Sequence, residues 1–334
     1  MTTTMKDIAK DLGLSLMTIS KALRNHSDVS EQTRNRVLKR ARELNYQPNL
    51  IAQSLVTKRT YIVGLIIPDL MHSFFAEVAK GVARKLEPLS YQIVIGDTEE
   101  NADREIRQVR LLLTRKVDGL IIASAQATRA SYKKLLGDIT TPYVLIDRKP
   151  AGVAAHYIGV KDEDIGELAT EHLIAQGCRR IAHIRGLENP TAVGRLRGYH
   201  RALSKHAMDV PRDYVTSGDY TDDTGYHAMQ LLLRMNPPPD GVFCFNDPVA
   251  VGAIKAALEM GVDVPNDVAV IGAGNVHYSD MLRVPLSTVD QSSSMMGEKA
   301  AELLVQCMQS KKPLDTQEFL IAPRLVVRQS TRRS

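Results

Sequence analysis

Apolar residues recur at helical spacing over the first forty-five or so positions, then gather from Tyr61 onward into short runs separated by amphipathic stretches. Between Thr4 and Leu23 (T-M-K-D-I-A-K-D-L-G-L-S-L-M-T-I-S-K-A-L) the pattern predicts two short helices joined by a tight turn. Thr4 and Asp7 have the spacing of a capping box, and Ile8, Ala9 and Leu12 give the first helix a narrow apolar face. Gly13 suits the turn, Ser15 is a good N-cap, and Ile19, Ala22 and Leu23 face back toward the first helix. Leu16, Met17, Ser20 and Lys21 are left on the outer face, where a recognition helix meets the DNA major groove. A third helix starts after Ser30, with Val37, Leu38, Ala41 and Leu44 available to cover the first two. The proline of Asn45-Tyr46-Gln47-Pro48-Asn49 closes it. The next segment, L-I-A-Q-S-L-V-T, allows two helical turns, a length marginal in water. It is expected to order only against DNA or its own copy in a dimer.

From Tyr61 the runs read as strands: Y-I-V-G-L-I-I-P-D, Y-Q-I-V-I-G-D, G-L-I-I-A-S, Y-V-L-I-D, Y-I-G-V, I-A-H-I-R-G, G-V-F-C-F-N and V-A-V-I-G-A. Amphipathic helices such as F-F-A-E-V-A-K-G-V-A-R-K-L lie between them. Such alternation implies parallel sheets with helices on both faces, an α/β class. Asp69, Asp97, Ser124, Asp147, Asn246 and Gly272 stand at strand ends, and open α/β sheets bind ligands beyond the carboxyl ends of their strands. These residues are therefore expected to converge on a cleft.

Charge separates the two regions. Up to Thr60 there are eleven Lys and Arg against five Asp and Glu, while the remainder carries 32 against 33. An ordinary helical hairpin fits the first pattern as well, but it does not explain a positive field confined to the first sixty residues beside a near-neutral body. That asymmetry is the footprint of a polyanion-binding module. At 334 residues the chain exceeds a single core, so two or three domains are expected. Three scattered cysteines, Cys178, Cys244 and Cys307, predict reduced thiols in the cytoplasm rather than a disulfide framework. The N-terminus lacks the apolar core of a signal peptide, and no apolar run approaches the roughly 20 residues that span a bilayer. No membrane partner is expected.

The order K-D-I-A-x-x-L-G-L-S-x-x-T-I-S-K-A-L, V-S-E-x-T-R-x-R-V and L-N-Y-x-P-N-x-x-A-x-S-L resembles the lactose-repressor (LacI) family of bacterial transcription regulators. V-D-G-L-I-I at Val117, G-R-L-R-G-Y at Gly194, F-N-D at Phe245 and P-R-L-V-V-R-Q-S at Pro323 extend the resemblance over essentially the whole chain. It implies a helix-turn-helix DNA-binding domain over 1–48, a hinge helix and linker over 49–60, and a periplasmic-binding-protein-like core of two lobes over 61–334. The DNA-proximal lobe would comprise about 61–162 and 292–321, the distal lobe about 163–291 and 322–330. By the same resemblance Leu16, Met17 and Lys21 read base edges, Lys21 by donating to guanine and the other two by apolar contact such as with a thymine methyl. Thr4, Ser15, Thr18, Ser30, Thr33, Tyr46 and Asn49 fall where the family contacts phosphates, which positions the module without specifying sequence. Ser20 and Gln53 belong to the same expected surface. Leu55 matches a leucine wedged into the minor groove by paired hinge helices.

The implied partners are a pseudo-palindromic operator duplex, a second copy of the chain and a small, carbohydrate-related effector whose binding shifts operator affinity. The effector would lie between the lobes against Asp69, Phe75, Ser124, Asp147, Arg195, Tyr220 and Asn246, with Arg195 suited to carboxylate, phosphate or vicinal hydroxyls. The chain departs from the family pattern at His72, at Val160-Lys161 and at Ala273-Gly274, losing two carboxylates. The departures raise an anionic ligand held by Lys161 and Arg195 as one reading. The absence of a leucine heptad after Arg328 argues against a tail-driven tetramer. An enzyme is the rival class. I-G-A-G-N-V-H-Y suggests a dinucleotide turn, but His277 stands where the third glycine belongs. No G-x-S-x-G elbow or Walker A sequence occurs, His172, Cys178 and His183 have no metal-ligand spacing, and no cofactor is expected. A binding protein of the same core fold without effective DNA regulation is the other alternative.

Overall fold

The computed structural model describes residues 3–47, 54, 57–126, 128–137 and 139–333. Pro48 to Gln53, Leu55 and Val56 lie outside them, and with them the expected contacts of Asn49, Gln53 and Leu55. The chain divides into two compact units, Met1–Thr60 and Tyr61–Ser334.

In the first unit, helices α1 (Met5–Leu12), α2 (Leu16–Leu23) and α3 (Glu31–Glu43) enclose a small core of Ile8, Ile19, Ala22, Val37 and Ala41. Asp7 Oδ2 accepts from both the backbone N–H and the hydroxyl of Thr4, each at 2.8 Å, fixing the start of α1. Gly13 ends it at φ 63°, a left-handed value that costs glycine little. Arg40 pairs with Asp11 and Glu43, holding α3 to the end of α1.

The second unit holds two six-stranded sheets. Strands β1 (Ile62–Ile67), β2 (Gln92–Asp97), β3 (Gly119–Ile122), β4 (Tyr143–Ile146), β5 (Tyr157–Val160) and β11 (Glu318–Ile321) form the first, in the order β2-β1-β3-β4-β5-β11. Strands β6 (Ile181–Arg185), β7 (Val215–Ser217), β8 (Gly241–Cys244), β9 (Ala269–Gly274), β10 (Ser287–Asp290) and β12 (Arg324–Val326) form the second, in the equivalent order β7-β6-β8-β9-β10-β12. All pairings are parallel except β10 with β12. The central strands are buried along their whole length, as sheets covered on both faces require. The chain passes between sheets after β5, after β10 and after β11.

Around the first sheet lie α4 (Ser73–Leu86), α5 (Ala102–Thr114), α6 (Arg129–Leu136) and α11 (Ser293–Gln309). Around the second lie α7 (Asp162–Ala175), α8 (Pro190–Lys205), α9 (Asp222–Leu233) and α10 (Asp247–Glu259). The helices pair closely, α7 with α8, α9 with α10 and α4 with α11. The short strands β7, β10 and β11 carry no long apolar run, which is why the hydrophobic pattern did not announce them. His172, Cys178 and His183 are parts of the interior. His172 Nε2 meets Thr331 Oγ1 at 2.7 Å, and the His183 ring stacks on Phe243, with burial pushing its pKa down to about 3.

Candidate functional site

Two surfaces gather the expected functional residues, one in each unit. On the first unit, Ser15 caps α2 by accepting from the Thr18 N–H at 3.1 Å, and its hydroxyl also meets that of Thr18 at 2.9 Å. Ser30 caps α3 in the same way, accepting from Thr33 N at 3.3 Å. Ser20 Oγ accepts from Arg24 at 3.0 Å, and Lys21 is ion-paired with Asp28. Tyr46 is half-buried against the three-helix core. Leu16 and Met17 stand outward, 44% and 65% exposed. An exposed ion pair contributes at most about 1 kcal/mol, so Lys21 can exchange Asp28 for a phosphate or a base.

On the second unit, a cavity lies where the carboxyl ends of the two sheets face each other. Of the strand-end residues, Asp97 and Gly272 are not in its lining; Asp69, Asp147 and Asn246 line it, as do Phe75, Arg195 and Tyr220, which the family resemblance implies. Ser124 does not. Its side chain is buried and turned toward α5, donating to Glu105 Oε1 at 2.8 Å and accepting from Gln126 N at 3.1 Å. The cause is Glu105 itself, a buried carboxylate that must be supplied with donors. His72, Phe74, Glu100, Arg148, Thr191, Phe245, Ala273 and Gln291 complete the lining. His72 was visible in the sequence as a departure from pattern. Arg148 follows the strand-end Asp147 directly and was the accessible signal that went unused.

Both cavity arginines are already neutralised. Arg148 donates to the two oxygens of Glu100 at 2.5 and 2.8 Å, lies 3.4 Å from Asp147, and sits 5.4 Å from the centre of the Tyr220 ring. Arg195 donates to Asp162 at 3.1 Å, to the Phe245 carbonyl at 2.5 Å and to Gln291 at 3.0 Å. Its guanidinium stacks on the Phe245 ring at 4.5 Å. Burial raises the Asp147 carboxyl, against the opposing charges of Arg148 and Arg195. Burial likewise pushes Asp162 up to about 7, with Arg195 pulling against it. Lys161 is not in the cavity; it pairs with Asp164 at 3.2 Å and borders a separate groove. The anionic reading of the pocket therefore loses both of its cations.

Two of the contacts that join the lobes lie at the cavity. Asn246 caps α10 by accepting from Val249 N at 2.9 Å, and its amide N–H₂ reaches His72 Nε2 at 3.1 Å. The other is the Arg148–Tyr220 stack. His72 Nδ1 accepts the Phe74 N–H, which leaves the neutral ring's own proton on Nε2 beside the Asn246 amide, and a second proton on Nδ1 would face a donor. Burial first, then the charges of Arg148 and Arg195, push the imidazole down to about 4.

The family model for bacterial regulatory proteins of the lacI family matches residues 4–49, and that for a periplasmic binding protein-like domain matches 170–331. The ribose operon repressor of Halalkalibacterium halodurans is 34% identical over 331 residues, covering 99% of this chain and 97% of that one. The chain belongs to the lacI family. As such it is a DNA-binding transcription regulator with an effector-binding core. Among solved structures, the Lac repressor dimer bound to operator and the anti-inducer ONPF is 26% identical, with 99% of each chain covered and a TM-score of 0.87. The regulator CelR in complex with cellobiose is 29% identical, with 98% and 99% covered and a TM-score of 0.74. Among the described residues no helix of this lacI-family regulator is long and apolar enough to cross a membrane, and no three His, Cys, Asp or Glu are placed to hold a metal ion.

Proposed function

We propose that this lacI-family protein represses transcription as a homodimer whose operator affinity is set by a neutral, polyhydroxylated molecule bound in the inter-lobe cavity. The carrying observation is that Arg148 and Arg195 are each matched by a carboxylate within the protein. A phosphate or carboxylate would have to displace Glu100 or Asp162 and leave it, half-buried, without its counter-charge, which costs stability. Sugar hydroxyls need no such exchange. They can donate to Asp69 and Asp147 and accept from the guanidinium N–H groups still unused. Phe75, Tyr220 and Phe245 supply flat faces for the C–H surfaces of a ring. The names of the ribose operon repressor and the cellobiose-bound regulator agree with this chemistry.

The DNA-facing set is Thr4, Ser15, Leu16, Met17, Thr18, Ser20, Lys21, Ser30, Thr33 and Tyr46, with Asn49, Gln53 and Leu55 continuing it. Their hydroxyls line the outer side of caps that also hold α2 and α3 in place, so folding and phosphate contact use the same groups. The dimer surface includes the outer edge of the first sheet, where β2 exposes Val94 and Ile95. The same reading makes the protein a cytoplasmic non-enzyme. Thermal-shift measurement on the full-length protein tests the effector class, with neutral pentoses and hexoses beside their phosphates, sugar acids and nucleobases. Stabilisation by a neutral sugar is expected. Stabilisation confined to a phosphorylated or carboxylated compound would contradict the reading.

A further inference from the structure

Leu16 and Met17 are the two exposed residues among the eight of α2. In α1 and α3 every exposed residue is polar: Lys6, Asp7, Lys10 and Asp11 in the first, and residues such as Gln32, Asn35 and Arg36 in the second. Only the helix that carries the recognition surface inverts the usual rule. The polar side chains beside the pair are all engaged within the unit, Thr18 with Ser15, Ser20 with Arg24 and Lys21 with Asp28. What this face offers a partner without rearrangement is a branched alkyl group and a thioether chain at the first turn of a helix, surrounded by a strong excess of cations.

Building on the DNA-binding reading above, we infer that α2 recognises the 5-methyl groups of pyrimidines in the major groove. Thymine presents that methyl beside its O4 acceptor, whereas cytosine presents an N4 amino donor and no methyl. Leu16 can neither accept from that amino group nor donate to guanine O6, and the Met17 thioether accepts only weakly and cannot donate. A G·C pair beneath them is stripped of water and given little in return. A thymine methyl is covered by apolar surface, and the flexible, polarizable Met17 side chain adapts to it. The cations meet the phosphates, and the apolar pair selects the base. A methylated cytosine carries the same methyl at the same ring carbon, so it substitutes in part for thymine, which makes cytosine methylation a modification that this surface detects.

The test uses the full-length protein and a duplex selected by it from a random-sequence library. Each thymine is replaced by deoxyuridine in turn, and the sensitive positions are then rebuilt as cytosine and as 5-methylcytosine. Loss of the methyl at one or two thymines per half-site is expected to weaken binding roughly fourfold each, the equivalent of about 0.8 kcal/mol for one buried methyl-sized group. 5-Methylcytosine should recover part of the affinity that cytosine loses. In Leu16→Ser and Met17→Ser, whose sites are exposed and whose fold circular dichroism checks, the difference between thymine and uracil should vanish. An all-uracil duplex bound as tightly as the thymine form overturns the inference and leaves the DNA-binding reading standing. So does self-association that Met17→Ser abolishes without any uracil effect. Failure to select any duplex would overturn both.

Discussion

Arg148 and Arg195 make the cavity polar without making it positive, because each guanidinium arrives with its own carboxylate. Arg148→Gln leaves the half-buried Glu100 and Asp147 without their counter-charge, and a loss below the roughly 3–5 kcal/mol of a fully buried pair is expected in chemical denaturation. His72 carries a pH signature. Its folded pKa of about 4 lies below the ordinary 6.5, so between those values the unfolded chain binds more protons and stability falls as pH falls. Asp162, at about 7 against an ordinary 3.8, acts with the opposite sign over nearly the same window. The two partly cancel in the wild type. His72→Asn removes the first, so from about pH 6.5 to pH 5 the stability gap should move in favour of the variant by about 1–2 kcal/mol, at no more than about 1.4 kcal/mol per pH unit for one proton. An unchanged gap in urea titrations at the two pH values would show that His72 is not held neutral. Much of this cavity was legible in the sequence because residues ending parallel strands must converge, which brought Asp69, Asp147 and Asn246 to it. The same rule failed at Asp97, Gly272 and Ser124; which way the Ser124 side chain turns depends on a partner, Glu105, in a distant helix. Glu100 and Gln291 were invisible for a related reason: their roles exist only opposite Arg148 and Arg195.

Elements succeed or fail by how closely they pack. Helices α7 and α8 approach until a Cβ added at Gly198 would lie 2.0 Å from the Glu163 carbonyl oxygen, a backbone atom with no room to retreat. Gly198→Ala should therefore push the helices apart and cost about 2–3 kcal/mol of stability, read as a lower midpoint in urea. A neutral result would mean that the pair is looser than its geometry. The first three helices were readable because capping, turn and apolar period agree within twenty residues, and α2 begins and ends where Ser15 and Arg24 stand. Strands β7, β10 and β11 were not readable. They are three or four residues long and become strands only through neighbours, Ser287–Asp290 by lying between β9 and β12.

At the scale of the whole molecule, one architecture is repeated in two sheets of equivalent strand order, and the cavity lies where their carboxyl ends meet. The outer edge strand β2 leaves Val94 and Ile95 exposed at 39% and 42%, as the opposite edge strand β11 exposes Phe319 and Leu320. Ile95→Lys should shift the protein from dimer to monomer in sedimentation and weaken operator binding with it; an unaltered dimer would move the interface elsewhere. Closure of the cavity is tied to contacts from both lobes, His72 with Asn246 and Arg148 with Tyr220, so a ligand seated among them changes the relation of one lobe to the other. That change is the proposed link to DNA. The most direct test is operator affinity of the full-length protein, measured with and without the neutral sugar that stabilises it, on a fragment from its own upstream region. A change of about 5- to 150-fold is predicted, the span of a 1–3 kcal/mol coupling. A sugar that binds and stabilises the core yet leaves operator affinity unmoved would contradict the account.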